Sequence, residues 1–272
     1  MSKWLIGAAA AAALTLGGCE SMHGMMGMGG GHEVSASADY IQAAIADPSR
    51  PKADVDRDAS RHPAEMMAFA RIKPGDSVMD VWTGSGYWAR LFGKAVGPGG
   101  KVFAYVPEEI TVFKNKPLDV AKAMAAEAGR GNVQAVSDPV ASMPPKEFWN
   151  TLDVVWIFEN YHDIHDSFMK GKDGKPADVD AYNKAVFTAI KPGGYYVIVD
   201  HAAVAGSGLK NTEDLHRIDP ATLRAEVEKA GFVFDGESKV LANPADTHTV
   251  GVFDKSLRGN TDRFAYRFRK PK

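Results

Sequence analysis

Val78-Met79-Asp80-Val81-Trp82-Thr83-Gly84-Ser85-Gly86-Tyr87 joins an apolar run to a helical one through a loop that alternates glycine with small polar residues. The run from Ser77 to Val81 predicts a short strand, and Tyr87 to Ala95 predicts a helix. Glycine at 84 and 86 admits backbone conformations and close approaches that a Cβ forbids. The free N–H groups at the helix start point into the same space. In a doubly wound sheet, ligands bind at the carboxyl ends of the strands, near the topological switch. Asp80, Trp82, Gly84, Gly86 and Tyr87 are therefore candidate ligand contacts.

On either side of this loop, strands and helices alternate. Upstream, Tyr40, Ile41, Ala44 and Ile45 share a helical face that Asp47-Pro48 ends. A second helix is expected from His62-Pro63 through Met66, Met67, Phe69 and Ala70, closed by the turn Lys73-Pro74-Gly75-Asp76. Downstream, strands are expected from Lys101 to Val106, Asn132 to Val136 and Asp153 to Phe158. The last of these is almost wholly apolar, as a central parallel strand is. Helices are expected from Leu118 to Ala128 and from Asp178 to Ile190. Lys191-Pro192-Gly193-Gly194 reads as a turn into a fifth strand, Tyr195 to Asp200. Asp219-Pro220 starts a helix with a capping carboxylate and a proline at the first position, and Gly231 stops it. Late strands lie near Phe232 to Leu241 and Arg263 to Phe268, and Arg267 to Lys272 reads as a solvated end. The order predicts an α/β fold: a doubly wound, Rossmann-like sheet of seven strands with helices on both faces.

These motifs resemble class I S-adenosylmethionine-dependent methyltransferases over about Arg57 to Pro271. The glycine loop resembles the family's first motif. Lys191-Pro192-Gly193-Gly194 resembles its turn into the fifth strand, and Asp153-Val154-Val155-Trp156 its fourth strand. Phe158-Glu159-Asn160-Tyr161-His162 resembles the motif at the end of that strand. Trp82, Asn160-Tyr161-His162 and Leu215-His216-Arg217-Ile218-Asp219 are similar to marks of a group of exported "predicted methyltransferase" lipoproteins. The resemblance implies a mostly parallel sheet whose last strand is antiparallel, with S-adenosylmethionine as cofactor. It also implies cofactor contacts at Asp80, Trp82, Gly84, Gly86 and Tyr87 of the loop, at Asp138, beside the adenine, and at Glu159. Two departures stand out. Trp82 replaces the family's first glycine, so its indole must either stack on the cofactor or block it. The usual ribose-binding acid falls on Val106, leaving Glu108 to swing in or the clamp missing.

His162, Asp163, His165 and Asp166 follow the fourth strand, and a helical turn there puts His162 and His165 on one face. Methyl transfer needs a nucleophile freed of its proton. His162 is the candidate general base, oriented by a carboxylate such as Asp163, with His201 nearby. Asn160, His216 and Arg217 are candidate substrate contacts; Arg217 either meets an anion through its fork or pairs with Asp219. Asp246 and His248 read as turn residues. A metal site from His162, His165 and a carboxylate ranks below the base reading, because the local sequence lacks a zinc-type spacing, and no residue is assigned as a metal ligand.

The chain begins with Lys3 ahead of an apolar run from Leu5 to Leu16. At about 7–15 residues such a run fits a signal peptide and is too short to span a bilayer. Leu16-Gly17-Gly18-Cys19 resembles a lipobox, implying cleavage after residue 18 and lipid on Cys19, the single cysteine. Glu20 fits sorting to the periplasmic side of the outer membrane. Residues 19–38 read as a Met/Gly/His-rich tether, and 39–272 as one domain with an N-terminal helical extension. Removing Lys3 leaves 31 basic residues against 34 acidic ones. That balance argues against a nucleic-acid partner. The expected partners are a small-molecule or envelope substrate and the membrane. Two other readings use the same residues. One is a ligand-binding protein that kept the fold without the reaction. The other is copper handling by the tether or the 162–166 cluster.

Overall fold

The computed structural model describes residues 33–142 and 146–272. The expectations for the export segment, for Cys19 and for the tether up to residue 32 lie outside the described residues. The chain runs through α1 (Asp39–Ile45), α2 (Lys52–Val55), α3 (Asp58–Arg61) and α4 (Pro63–Phe69). It then alternates β1 (Ser77–Val81), α5 (Tyr87–Val96), β2 (Lys101–Tyr105), α6 (Pro117–Ala125), β3 (Val133–Val136) and β4 (Leu152–Phe158). The second half holds α7 (Val179–Ala189), β5 (Ile190–His201), α8 (Thr212–Leu215), α9 (Pro220–Lys229), β6 (Val233–Ser238) and β7 (Arg263–Arg269).

Among the described residues the sheet has seven strands in the order β3-β2-β1-β4-β5-β7-β6. Neighbours are parallel from β3 to β5, and β7 is antiparallel to both β5 and β6. The winding reverses between β1 and β4, so their carboxyl ends open a crevice there. The sheet is covered on both faces because its strands are apolar on both. Along β4, Val155 and Ile157 point to one core, with Tyr182 and Val186 of α7 and Leu223 of α9. Val154, Trp156 and Phe158 point to the other, with Ile41 of α1, Met66 of α4 and Leu91 of α5. Each fully buried side chain of this kind contributes roughly 1.5–3 kcal/mol before entropy is counted.

The helix ends follow local chemistry. Asp178 accepts from the Ala181 amide at 2.9 Å, and Asp219 from the Ala221 amide at 3.0 Å ahead of Pro220. α5 opens at Gly86, whose φ is +88°, and closes at Gly97, whose φ is +65°. A Cβ on Gly86 would lie 2.5 Å from Met124 Cγ, so this glycine is required by packing of α5 on α6.

Two expectations are corrected. Lys191 to Gly194 is not a turn outside the strand. It lies within β5, where a Cβ on Gly194 would meet the Asp153 carbonyl at 2.8 Å and the register against β4 shifts. The chain end is not simply solvated. β7 is inserted between β5 and β6, so Lys270 is buried and donates to Asn150 Oδ1 and to the carbonyls of Phe187 and Ile190 at 2.7–2.9 Å. Arg267 is tied to Asp235 and the Phe69 carbonyl, each at 2.7 Å. The segment between α1 and α4 also forms two single-turn helices, α2 and α3, which are too short to show periodicity. Among the described residues, no helix is long and apolar enough to cross a membrane.

Candidate functional site

The crevice at the reversal point holds a cavity of about 270 Å³, lined from the carboxyl ends of β1, β4 and β5 and from α3. That is slightly below the roughly 300–1,000 Å³ of most small-molecule sites. The β1 side is the glycine loop. The amides of Trp82 and Thr83 both bond the Tyr105 carbonyl, which folds the loop over β2. Trp82 has φ +62° and Gly84 φ +56°, so a bulky side chain occupies a left-handed position that usually favours glycine. The Trp82 indole lines the cavity and meets Phe168 edge-on, with centroids 6.3 Å apart. Asp80 is buried at the strand end and accepts from the Thr83 hydroxyl at 2.7 Å. Burial pushes its pKa up to about 7, against the pull of that hydroxyl. Tyr87 lines the cavity with its ring, but it is buried and its hydroxyl is committed to Asp58 at 2.7 Å.

The β4 side carries the chemistry. Glu159 lines the cavity in a left-handed conformation and accepts from Arg263 at 2.8 Å, with Arg61 3.7 Å away. Burial raises the Glu159 pKa, but the positive charge around it holds the carboxyl below its ordinary value. The His162 amide donates to Asp200 Oδ2 at 2.8 Å, and its ring Nδ1 lies 2.7 Å from Asp200 Oδ1. Asp200 is fully buried at the end of β5, so the ring is fixed from behind. On the cavity side, His162 Nε2, Asp163 Oδ1 and His216 Nδ1 are each 3.3 Å from the other two. Asn160 holds the other Asp163 oxygen at 2.8 Å. Burial lowers the His162 pKa, but Asp200 and Asp163 more than offset it and raise it well above the ordinary histidine value. His201 is the opposite case: burial depresses it to about 4, and Nδ1 lies 2.7 Å from the Thr261 hydroxyl.

Several expected site residues stand elsewhere. Arg217 does not reach the cavity; it is fully buried, donating twice to Asp246 and once each to the Ala202 and Val250 carbonyls. Its carboxylate partner is Asp246, read from sequence as a turn residue, and not Asp219. Glu108 turns away to pair with Lys172 and lines a separate recess. Asp138 lies outside the cavity lining, with its carbonyl taking the Tyr105 hydroxyl at 2.6 Å. Gly86 is also outside the lining. His165 does not share a site with His162. It faces Glu226 of α9 at 3.2 Å, beside the Tyr161 hydroxyl. His248 pairs with Asp262 at 2.9 Å.

The sequence reading missed Arg57 and Arg61, which line the cavity from α3 and its entry; Arg61 lies 4.6 Å over the Tyr87 ring and 4.9 Å over Phe158. Their i, i+4 spacing just before the expected second helix was the available signal. Val252 and Phe253 close the outer side, and no local pattern marks them.

No protein-family model and no curated relative matches the chain. Solved structures do. A SAM-dependent methyltransferase from Aquifex aeolicus is similar at TM-score 0.56 and 18% identity, covering 80% of this chain and 95% of that one. An S-adenosylmethionine-dependent methyltransferase from Mesorhizobium loti is similar at TM-score 0.53 and 12% identity, over 79% and 100%. The [4+2]-cyclase SpnF is similar at TM-score 0.52 and 17% identity, over 80% and 82%. The architecture is therefore the class I methyltransferase fold. Because the same fold also carries a cyclase, the reaction has to be argued from the site.

Proposed function

We propose that the cavity binds S-adenosylmethionine and that the chain transfers its methyl group to a small molecule or cell-envelope component. The observation that carries this is the charge pattern of the lining. Arg57 and Arg61 face the same space as Asp80 and Glu159, beside the glycine loop. A ligand end with a carboxylate, an ammonium and a sulfonium finds a counter-charge for each. The residues fit that end of the cofactor. At the nucleoside end the fit is different: Val106 is buried where a ribose-binding acid is usual, and Glu108 is held by Lys172. Trp82 takes the place of that clamp, through contact with its ring.

When bound, S-adenosylmethionine supplies an electrophilic methyl group. The protein's share is to align the acceptor and receive its proton. His162, flanked by two carboxylates, is held protonated and is a poor acceptor. His201, kept neutral by burial, is an unprotonated imidazole in the lining and the candidate to receive that proton, as a weak base.

Calorimetric titration of S-adenosylmethionine and S-adenosylhomocysteine into the purified chain tests the reading. Binding at about 100 μM or tighter, roughly −5.5 kcal/mol, supports it. No binding of either at millimolar concentration would remove it. A second reading, a binding protein without the reaction, is favoured by Val106 and by the Glu108–Lys172 pair. It predicts ligand capture without turnover. Export and lipid attachment at Cys19 belong to the same proposal. A Cys19→Ala chain should leave the membrane fraction and take up no radiolabelled palmitate; unchanged membrane attachment would exclude the anchor.

A further inference from the structure

We propose that His162 Nε2, Asp163 Oδ1 and His216 Nδ1 bind one divalent transition-metal ion of the zinc or iron(II) kind, with its remaining coordination positions open to the cavity. The first argument is geometric. All three donor separations are 3.3 Å. Donors bonded to one such ion at about 2.0–2.1 Å, at tetrahedral angles, stand about 3.3–3.4 Å apart. As hydrogen bonds these contacts are poor. A charge-assisted N–H···O bond runs about 2.7–2.9 Å, and His162 reaches that value on its other nitrogen, 2.7 Å from Asp200. The nitrogen-to-nitrogen edge also cannot be a hydrogen bond while both nitrogens donate to Asp163. A metal ion satisfies all three edges at once.

The second argument is the surrounding shell. Metal-bound histidines usually give their other ring N–H to a carboxylate, which fixes the tautomer and aims the free lone pair. Asp200 does this for His162, whose Nε2 proton the ion displaces, and Asn160 does the equivalent for the far oxygen of Asp163. The third is a separate observation. Asp166 is buried, and apart from a weak interaction with the Thr212 side chain its carboxylate oxygens accept no hydrogen bond of ordinary length. It lies within electrostatic reach of His162, Asp163 and His216. A buried carboxylate so weakly paired is costly unless a positive charge is near, and a divalent ion at the trio supplies one. Access exists as well: all three ligands line the cavity, and the His216 side chain is 27% exposed.

Two imidazoles and one carboxylate select a borderline ion over magnesium or calcium, which favour all-oxygen sites. The open positions would hold water or an acceptor oxygen and lower its pKa. The assignment does not depend on the methyl-transfer reading, since it rests on protein donors alone.

The test uses the full chain, stripped with chelator and titrated with Zn²⁺, Co²⁺ and Mg²⁺. The variants are His216→Asn, Asp163→Asn and Asn160→Ala. Asparagine is chosen at 216 because that residue has φ +54°, a conformation asparagine tolerates. Elemental analysis should find one more equivalent of Zn²⁺ in the wild type than in His216→Asn or Asp163→Asn, with unchanged circular dichroism. The difference removes any ion held near the chain start. Co²⁺ should give a visible spectrum that both variants lose. Asn160→Ala should keep the ion with affinity weakened by about 10–100-fold. Equal Zn²⁺ uptake in wild type and both ligand variants would overturn the proposal, and so would uptake of Mg²⁺ in preference to Zn²⁺.

Discussion

Arg217 and Asp246 form an ion pair with no solvent contact, the guanidinium Nη2 lying 2.9 and 3.1 Å from the two carboxylate oxygens. The pair ties the entry to α9 to the loop before β7, and two carbonyls accept from Nε and Nη1 of the same guanidinium. Breaking a buried pair leaves one charge without compensation, which costs about 3–5 kcal/mol. Asp246→Ala should therefore lower stability by that order in urea unfolding. Replacing both partners with apolar residues should cost much less. A loss below 1 kcal/mol for Asp246→Ala would mean that the pair is not isolated from water.

Trp82 either obstructs the cavity or stacks on what it holds. Its removal in Trp82→Gly relieves a left-handed bulky residue and breaks the contact with Phe168. If the indole obstructs, affinity for S-adenosylhomocysteine should stay constant or rise. If it stacks on a bound ring, as proposed here, affinity should fall by the roughly 1–3 kcal/mol typical of aromatic stacking on a base. Titration calorimetry on the two proteins distinguishes these outcomes.

Asp80 gives the binding a pH dependence whose sign is fixed. Burial raises its pKa to about 7, so the carboxyl is largely neutral at pH 6 and ionised at pH 8. A cationic ligand end beside it should bind more tightly as pH rises through 7, and Asp80→Asn should flatten that dependence. The free protein should show the opposite trend. A carboxyl whose folded pKa is raised contributes stability at low pH, and that contribution is lost as pH rises from about 4 to 7. Parallel binding and unfolding curves at pH 6, 7 and 8 check both signs.

Glu127, paired with Arg90 of α5, should contribute to acid sensitivity. Hydrogen bonds from Arg90, at 2.5 and 2.9 Å, and from Arg130, at 2.7 Å, outweigh burial and lower its pKa to about 2. A depressed carboxyl stabilises the fold above its unfolded pKa near 4.3. That stability is lost as pH falls from there toward 2. The drop in urea midpoint between pH 6 and pH 3 should be smaller in Glu127→Gln than in the wild type.

Much of the architecture was readable because it is written in local pattern. Apolar runs of strand length, helical spacing and the turns at Gly97 and Asp219-Pro220 each depend on residues within a few positions. The end of the chain misled for the same reason. Arg267 and Lys270 look like surface charge locally, and only the insertion of β7 between β5 and β6 buries Lys270 among backbone carbonyls. In the site, Asp80, Trp82, Glu159, Asn160, His162, Asp163, His201 and His216 do line one cavity. Glu108, Asp138 and Arg217 do not; the side chains of Glu108 and Arg217 are turned by partners distant in the chain, Lys172 and Asp246.

The sequence by itself determined the α/β order and the strand-end loop, since hydrophobic period and glycine placement act over one or two turns of chain. Tertiary structure alone decided which histidines meet. His162 and His165 are three residues apart and face different partners, Asp200 and Glu226. His162 and His216 are 54 residues apart and stand 3.3 Å from each other. Parallel winding carries the carboxyl ends of β1 to β5 to the same edge of the sheet, so residues distant in the chain converge there. Which of them touch is set by how the crossover segments pack, and that is a property of the whole core.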